Sequence, residues 1–564
     1  MRILNKRPIA FALVALFNSL LLIGCDNTNT NTSTNKELTQ STWKMPVDDA
    51  PLGYSGLSQT ITSQPVTAGV TYYQVKRGEL SADEYWTVNI GFYTTPAAAQ
   101  ADADAINAAG FTTRLDQSAG TNTSGATLGY YLSVDRFNTQ DEANAVASQI
   151  SVATANKYKP RVRNTALAGN TTTGPWIINI LAIEPAKTTA KLSYELPGGN
   201  NLGGAGETVS AAALRVGALA GMNAGYFSNI NPFGSPLPPR SPVGTTVVNG
   251  QLVAAATGGR PGVMITTTSE GHPKATLLQK LSSSTILTDD QSVSIEVKDK
   301  NRPILGTVVN CGTPAQTPTT LSAHDYVCNN FNDLKMYDSL FLGGLSSNTL
   351  VNASYKGDIY ELVVDSTNTV VGGDETLGTP APQGGYVLQG LGDSAKWLRE
   401  HAIPGTKLTV VDHVYSDGKE ITLAPGMSIV EAGPTLSVSN LLQNAWAEGF
   451  SPIVNGSANA ASAGIDTSTW YEGWVVSRNG RTAIGVGADG TILLVEIPGR
   501  QPYVSLGTSI PETAAVMAWL GASSSINLDG GGSSNMVVNS VSVGEPSDAT
   551  GERGVAGTLM ITSH

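Results

Sequence analysis

The chain has 564 residues, 14% of them charged, with a formal net charge of −12 and a sequence pI near 5.0. That length predicts two or more domains, and the negative balance excludes nucleic acid as the main partner. Gly, Ser, Thr, Asn and Ala abound, which favours a β-rich protein with many turns over a helical bundle.

The amino end reads as an export signal. Arg2, Lys6 and Arg7 precede an apolar run from Ile9 to Ile23, short for a spanning helix and suited to a signal core. The run stops at Leu22-Ile23-Gly24-Cys25, which resembles a bacterial lipobox. The resemblance implies removal of residues 1–24, acylation of Cys25 and a membrane anchor held by several chains. An ordinary signal peptide or a single spanning helix is the alternative. Asp26, the next residue, resembles an inner-membrane retention signal of enteric bacteria. Residues 25–66, with DNTNTNTSTN directly after Cys25, have scarcely any apolar periodicity and predict a flexible tether. Losing the three leader bases makes the chain more acidic still, so an anionic ligand must be held by local donors and not by a global field.

An internal repeat occupies residues 67–166. Trp86 to Phe92 leads into a helical pattern from Pro96 to Ala109, and Tyr131 to Phe137 leads into another from Thr139 to Ile150. Lys157 to Val162 reads as a further strand, giving a small sheet with both helices on one face. This unit resembles a SPOR domain, a ferredoxin-like bacterial module. The resemblance implies peptidoglycan glycan strands, stripped of their stem peptides, as a partner on the free face of the sheet. Asp135-Arg136 stands where that pattern usually has Gly. A spacer without a ligand is the alternative.

From residue 174 to 564 the strand-like runs are Trp176 to Ile183, Gly262 to Thr267, Lys407 to Asp412, Trp474 to Ser477, Thr491 to Ile497 and Met536 to Val538. Helical patterns cover Ser210 to Leu219, Ser394 to His401, Val438 to Glu448 and Glu512 to Leu520. The mix predicts an α+β domain with a curved mixed sheet. Its most informative stretch is Asn527-Leu528-Asp529-Gly530-Gly531-Gly532-Ser533-Ser534, where an apolar run leads into a carboxylate, three glycines and two hydroxyls. Successive glycines let a ligand approach the backbone and aim N–H groups into one concavity; a tight turn with a capping Asp is the alternative.

That stretch has company in Gly221 to Phe227 (GMNAGYF), Glu431 to Leu436 (EAGPTL), Arg481 to Val486 (RTAIGV), and Pro546-Ser547-Asp548 through Glu552-Arg553. In this order, with Gly385 to Leu398 and the strand pair Ala483 to Glu496 around its Asp489-Gly490 turn, they resemble the phosphodiester glycosidase family. That family includes the animal enzyme that uncovers mannose 6-phosphate. The resemblance spans roughly Pro175 to Ile561 and is weak over 268–380, which is expected to be a divergent insertion. It implies hydrolysis of a sugar 1-phosphodiester to free sugar and phosphomonoester, with a phosphorylated carbohydrate as substrate and no cofactor.

Such a reaction passes through an oxocarbenium-like state that a carboxylate stabilises, while a phosphate leaves as a weakly basic anion and needs little acid assistance. Asp529 is the first candidate for the carboxylate, with a structural Asx turn as its alternative. Glu512 is the second, although a first-turn Glu also suits the helix dipole. Arg481 and Arg553 are candidate phosphate clamps, since a guanidinium offers bidentate donors; a surface ion pair is the alternative. Asn223 can donate to and accept from a sugar. Gly225, Thr482, Gly530, Gly531, Gly532, Ser533 and Ser534 complete the expected substrate-binding set. His272, His324, His401, His413 and His564 follow no metal-ligand spacing, so no metal site is expected. Cys311 and Cys328, an even pair in an exported chain, suggest a disulfide worth about 3 kcal/mol, or two buried thiols. A non-catalytic wall-binding or structural lipoprotein is the competing functional reading.

Overall fold

The computed structural model describes residues 42–93, 95–118, 129–168, 172–228, 240–256, 258–309, 327–448, 450 and 472–563. The leader, Cys25, the start of the tether, Cys311 and the side chain of Cys328 lie outside them.

β1 (Gln59–Thr67) and β2 (Val70–Arg77) form an antiparallel hairpin that turns at Gly69, where φ is +68°. β3 (Trp86–Tyr93), α1 (Pro96–Ala108), β4 (Thr113–Gln117), β5 (Tyr130–Phe137), α2 (Gln140–Ala153) and β6 (Arg161–Asn164) make the small unit. Its antiparallel sheet has the order β4-β5-β3-β6, that of a ferredoxin-like β-α-β-β-α-β unit. Local chemistry sets its helices. Thr95 and Thr139 cap them through side-chain oxygens, and Thr139 with Glu142 closes a capping box. Ile106, Ala143 and Ile150 then fall on the faces that pack against Val88 and Val134.

β7 (Trp176–Ile183), β8 (Lys191–Glu195), α3 (Val209–Val216) and β9 (Ala220–Asn223) open the large domain. β10 (Arg481–Gly487), β11 (Ile492–Ile497), α4 (Ile510–Trp519), β12 (Ala522–Asn527), β13 (Met536–Val538), β14 (Val541–Ser542) and β15 (Thr558–Thr562) close it. Two sheets come from these ends. One runs β1-β2-β7-β11-β10-β12 and the other β14-β13-β9-β15-β8. β7 and β11 are near-continuous apolar runs because they are buried on both faces. Between the ends, Pro273–Thr288 pairs with Arg260–Thr267 on one side and Thr409–Ser416 on the other. Leu334–Asp338, Tyr386–Leu391 and Ile359–Val364 pair in a separate sheet. Residues 268–380, expected as an insertion, thus supply the middle strand of one sheet and most of another.

Two expectations need correction. Residues 59–66 were assigned to the tether and 67–81 to the small unit, yet β2 pairs with β7 along its whole length, so both strands of the hairpin belong to the large-domain sheet. β1 is an edge strand with a mostly exposed, polar sequence, which hid its periodicity; hydrogen bonds to β2 hold it instead. Trp474–Ser477 was read as a strand, but Glu472–Val476 is a π-helical turn. The carbonyls of Trp474 and Ser477 accept from the Arg481 guanidinium.

The hairpin bears on stability. Val70, Tyr72 and Val75 are buried, which is worth on the order of 5 kcal/mol, and the hairpin covers the edge of β7. A chain starting at Gly174 is therefore expected to unfold at a clearly lower denaturant midpoint, and to aggregate more, than one starting at Thr42. Equal midpoints in parallel urea titrations would contradict this.

Candidate active site

The segment from Leu528 to Asn535 leaves β12 in one sheet and enters β13 in the other, so it crosses the junction between them. Backbone bonds fix the crossing: Leu528 N–H donates to Thr482 O (2.8 Å), Asp529 N–H to Ala224 O (2.9 Å) and Gly531 N–H to Gly480 O (2.8 Å). Asn223, fully buried at the end of β9, ties the same strands through its side chain. Its Nδ2 donates to Asp529 O (2.8 Å), and its Oδ1 accepts from Thr482 Oγ1 (2.7 Å) and Asn535 N–H (3.2 Å).

The glycines are there for close approach. A Cβ on Gly530 would stand 2.6 Å from Gly480 O, and one on Gly531, where φ is +62°, would stand 2.8 Å from an Arg500 Nη. On Gly532 it would meet Asp548 Oδ1 at 2.1 Å and an Arg553 Nη at 2.3 Å. Guanidiniums therefore lie directly against the loop backbone. Arg553 pairs bidentately with Asp548 (2.7 and 2.9 Å) and extends Nη1 toward Ser533 Oγ (3.4 Å). Arg500 holds the uncommon φ of +63° and donates Nε to Asn479 Oδ1. By surface area Arg500 is exposed, but its guanidinium is crowded: desolvation and the Arg553 charge lower its pKa, against Asp548 and Asp529. Arg240 donates to Gly554 O and is lowered the same way, by burial first and by Arg553 next. Three guanidiniums thus share the carboxylates of Asp548 and Asp529.

Asp529 is half-buried at the head of the loop, with Oδ1 accepting from Gly530 N–H (2.8 Å). Its charge reaches Tyr226, whose hydroxyl donates to Gly433 O (2.5 Å) and accepts from Asn527 Nδ2 (2.9 Å). Burial first, and then Asp529, push that phenol up. Ser534 Oγ and Asn535 Nδ2 at the end of the loop, Ser547 Oγ next to Asp548, Thr558 Oγ1 on the strand residue paired with Asn223, and Arg240 Nε are buried without hydrogen-bond partners. Such groups cost about 1–3 kcal/mol each, and their concentration beside one loop fits a site made for a polar ligand.

The expected residues sort into three positions. Asp529, Gly530, Gly531, Gly532, Ser533, Ser534 and Arg553 come together on the loop and its wall. Asn223, Thr482 and Gly225 stand behind it; a Cβ on Gly225 would lie 2.7 Å from Val430, which makes it a packing glycine. Arg481 and Glu512 differ from expectation. Successive strand residues face opposite ways, so Thr482 meets Asn223 while Arg481 turns to the other side. There it is fully buried, gives Nε to Thr508 O (2.7 Å) and lies 4.8 Å from the Trp474 ring centroid. Burial pushes its pKa down to about 9. Glu512 caps α4 through Ser509 and takes both of its oxygens to Arg478 Nε (3.1 Å each), away from the loop. Arg500 and Arg240 were missed. The one local signal for Arg500 was Pro498-Gly499 closing β11 just before it.

A SPOR family model matches residues 82–163, and a phosphodiester glycosidase family model matches residues 360–562. A solved structure of a putative exported protein from Burkholderia pseudomallei is 60% identical, covers 93% of this chain and 100% of its own, and superposes with a TM-score of 0.85. The chain belongs to the same family as that protein. It joins an N-terminal SPOR domain to a larger phosphodiester glycosidase domain. A hypothetical protein from Synechocystis is 15% identical with a TM-score of 0.48, covering 91% of this chain and 82% of that one. The catalytic domain of zebrafish N-acetylglucosamine-1-phosphodiester alpha-N-acetylglucosaminidase is 13% identical with a TM-score of 0.30, covering 70% and 79%. No curated protein matches the chain.

Behind the loop of the glycosidase domain, a polar row crosses the sheet. Gln74, Asn179, Glu496 and Thr482 are register partners on four successive strands. Tyr72 OH (2.7 Å) and Gln74 Nε2 (3.0 Å) donate to Asn179 Oδ1, and Asn179 Nδ2 donates to Glu496 Oε2 (2.7 Å). Burial pushes the Glu496 carboxyl up to about 8 and that of Glu448, which accepts from Thr435, up to about 7.

Two predictions follow from this packing. Gly532→Ala forces the Arg553–Asp548 pair off the loop and is expected to cost about 1–3 kcal/mol, read as a drop in Tm; an unchanged Tm would contradict the contact. Glu496 and Glu448 bind their protons more tightly folded than unfolded, so their contribution is complete below the ordinary carboxylate range and is lost as pH rises through about 7 to 8. Denaturant midpoints should fall across that window, and Glu496→Gln should flatten the decline near pH 8.

Proposed function

We propose that this protein hydrolyses sugar 1-phosphodiesters in the bacterial cell envelope. The observation that carries the reading is Asp529 at the head of a glycine loop whose backbone is in contact with Arg500 and Arg553. The phosphodiester lies against the loop, its oxygens bound by those guanidiniums. The anomeric C–O bond breaks and the phosphate departs with the electron pair. Asp529 stabilises the cationic sugar and takes a proton from the water that adds to the anomeric carbon. Because phosphate is a weakly basic leaving group, clamping its charge does what a general acid does for an ordinary glycoside. Asn223 and Thr482 hold the loop; Arg481 holds the wall.

A SPOR domain implies peptidoglycan binding, and the related Burkholderia protein is described as exported. With the leader read above, these support an envelope location on the periplasmic side, with Cys25 as the acylated anchor. The substrate class is then a phosphodiester-linked sugar of the envelope, N-acetylglucosamine among the candidates.

The whole chain incubated with a panel of sugar 1-phosphodiesters should release free sugar. Asp529→Asn should lower kcat by about a hundredfold or more, and Arg500→Ala should raise KM by about tenfold. Full activity of Asp529→Asn, or no release from any member of the panel, would refute the mechanism.

A further inference from the structure

An arginine that serves only the fold has its donors filled. Arg302 gives to the carbonyls of Pro242, Gly244 and Ala255 and to the Asp299 carboxylate, and Arg478 gives to Ala166 O and to both oxygens of Glu512. Arg240 and Arg500 are different. Each guanidinium carries several N–H donors, of which the described residues take a single one: Arg240 Nη1 gives to Gly554 O, and Arg500 Nε gives to Asn479 Oδ1. Asp548 is paired with Arg553, and among the described residues no carboxylate lies within ion-pair distance of the other two arginines. Arg240 Nε is buried with no partner. Both residues also hold left-handed backbone, with φ of +74° and +63°, which non-glycine residues seldom adopt. Outliers of this kind cluster at active sites and ligand clamps.

The two stand on either side of the Arg553–Asp548 pair. Gly531 lies against Arg500, Gly532 against Arg553 and Asp548, and Gly554, next in the chain to Arg553, against Arg240; a Cβ on Gly554 would be 2.5 Å from Arg240 Nη1. Asp529 bears on Arg500, whereas the charges that bear on Arg240 are those of Arg553 and Asp548. From the head of the loop outward the order is therefore Asp529, Arg500, Arg553 with Asp548, and Arg240. Every member of this row keeps some exposed surface, so a ligand can lie along it.

The scissile phosphate has two free oxygens, which Arg500 and Arg553 take when the sugar is at Asp529. Arg240 then lies beyond them, on the side of the leaving alcohol. We propose that Arg240 binds a second anionic group, carried by the aglycone beyond the scissile phosphate, so that the preferred substrates are sugar 1-phosphodiesters of phosphorylated aglycones. This rests on the reading under Proposed function. The second phosphate is either joined directly to the first, as in a diphosphate, or set a few bonds away on the alcohol; the oxyanions that meet the guanidinium are the same.

The test compares three derivatives of N-acetylglucosamine 1-phosphate as substrates of the whole chain: its 2-hydroxyethyl ester, its 2-phosphoethyl ester, and the methyl diphosphate in which the second phosphate adjoins the first. KM for one or both phosphorylated compounds should be about tenfold or more below that of the hydroxyethyl ester, and which of them gains tells the two arrangements apart. Arg240→Ala should bring that ratio to about one. An arginine that merely braced Arg553 through Gly554 would, on removal, raise KM for all three alike and leave the ratio standing; that result would overturn the subsite, as would equal KM values in the parent. Arg240→Gln, which keeps an amide donor for Gly554 O, repeats the measurement should the alanine variant fail to fold. Turnover of none of the three would instead overturn the reading on which the subsite rests.

Discussion

The Asn223 carboxamide is the constraint on which the rest of the glycosidase domain turns. It accepts from Thr482 in one sheet, donates to the backbone of Asp529, and accepts from Asn535 where the chain enters the second sheet. Each bond is worth about 1 kcal/mol net, but together they fix where two sheets meet to within a hydrogen-bond length. The glycine loop can then be an irregular backbone in a buried place, because the N–H groups of Leu528, Asp529 and Gly531 are bonded to flanking segments. The position of Asp529 is thus a property of the sheet junction and not of the loop alone.

This explains what could be read from the residues alone. Asp529 to Ser534 was legible because three consecutive glycines have few uses other than close approach, and the structure puts Arg500, Asp548 and Arg553 where side chains would otherwise be. Asn223 was found as a polar residue ending an apolar run, and its carboxamide is taken up by Asp529, Thr482 and Asn535. Arg500 and Arg240 were invisible, since a single arginine in a turn looks like any surface charge until the fold sets it beside the loop. Arg481 was misread for a reason that was available: it and Thr482 are neighbours on a strand, and only one of them could face Asn223. The ferredoxin-like unit was recoverable from its repeat, but its first boundary was not, because the exposed edge strand β1 carries no apolar alternation.

The electrostatics have two scales. The chain as a whole is acidic, at −12, yet the loop is surrounded by more guanidinium than carboxylate. A negative envelope of charge disfavours loose association with other polyanions, while a desolvated cluster can still hold one phosphate at close range, where the effective dielectric is lower and fixed donors count for more. Selection of an anion is then a matter of fit to the loop, not of long-range attraction.

Arg478 and Arg481 show a second use of the same side chain. Neither reaches the loop; both donate to backbone carbonyls, and Arg478 adds an ion pair with Glu512 on α4. A planar cation with five donors is suited to gathering carbonyls from irregular segments that have no strand to pair with, and the π-helical turn at Glu472–Val476 is such a segment. Glu512, read from the sequence as a second carboxylate for the chemistry, instead anchors Arg478 and through it the joint between the two domains. In the reaction proposed above the phosphate leaving group removes the need for a second acid, so this position is free to serve the architecture.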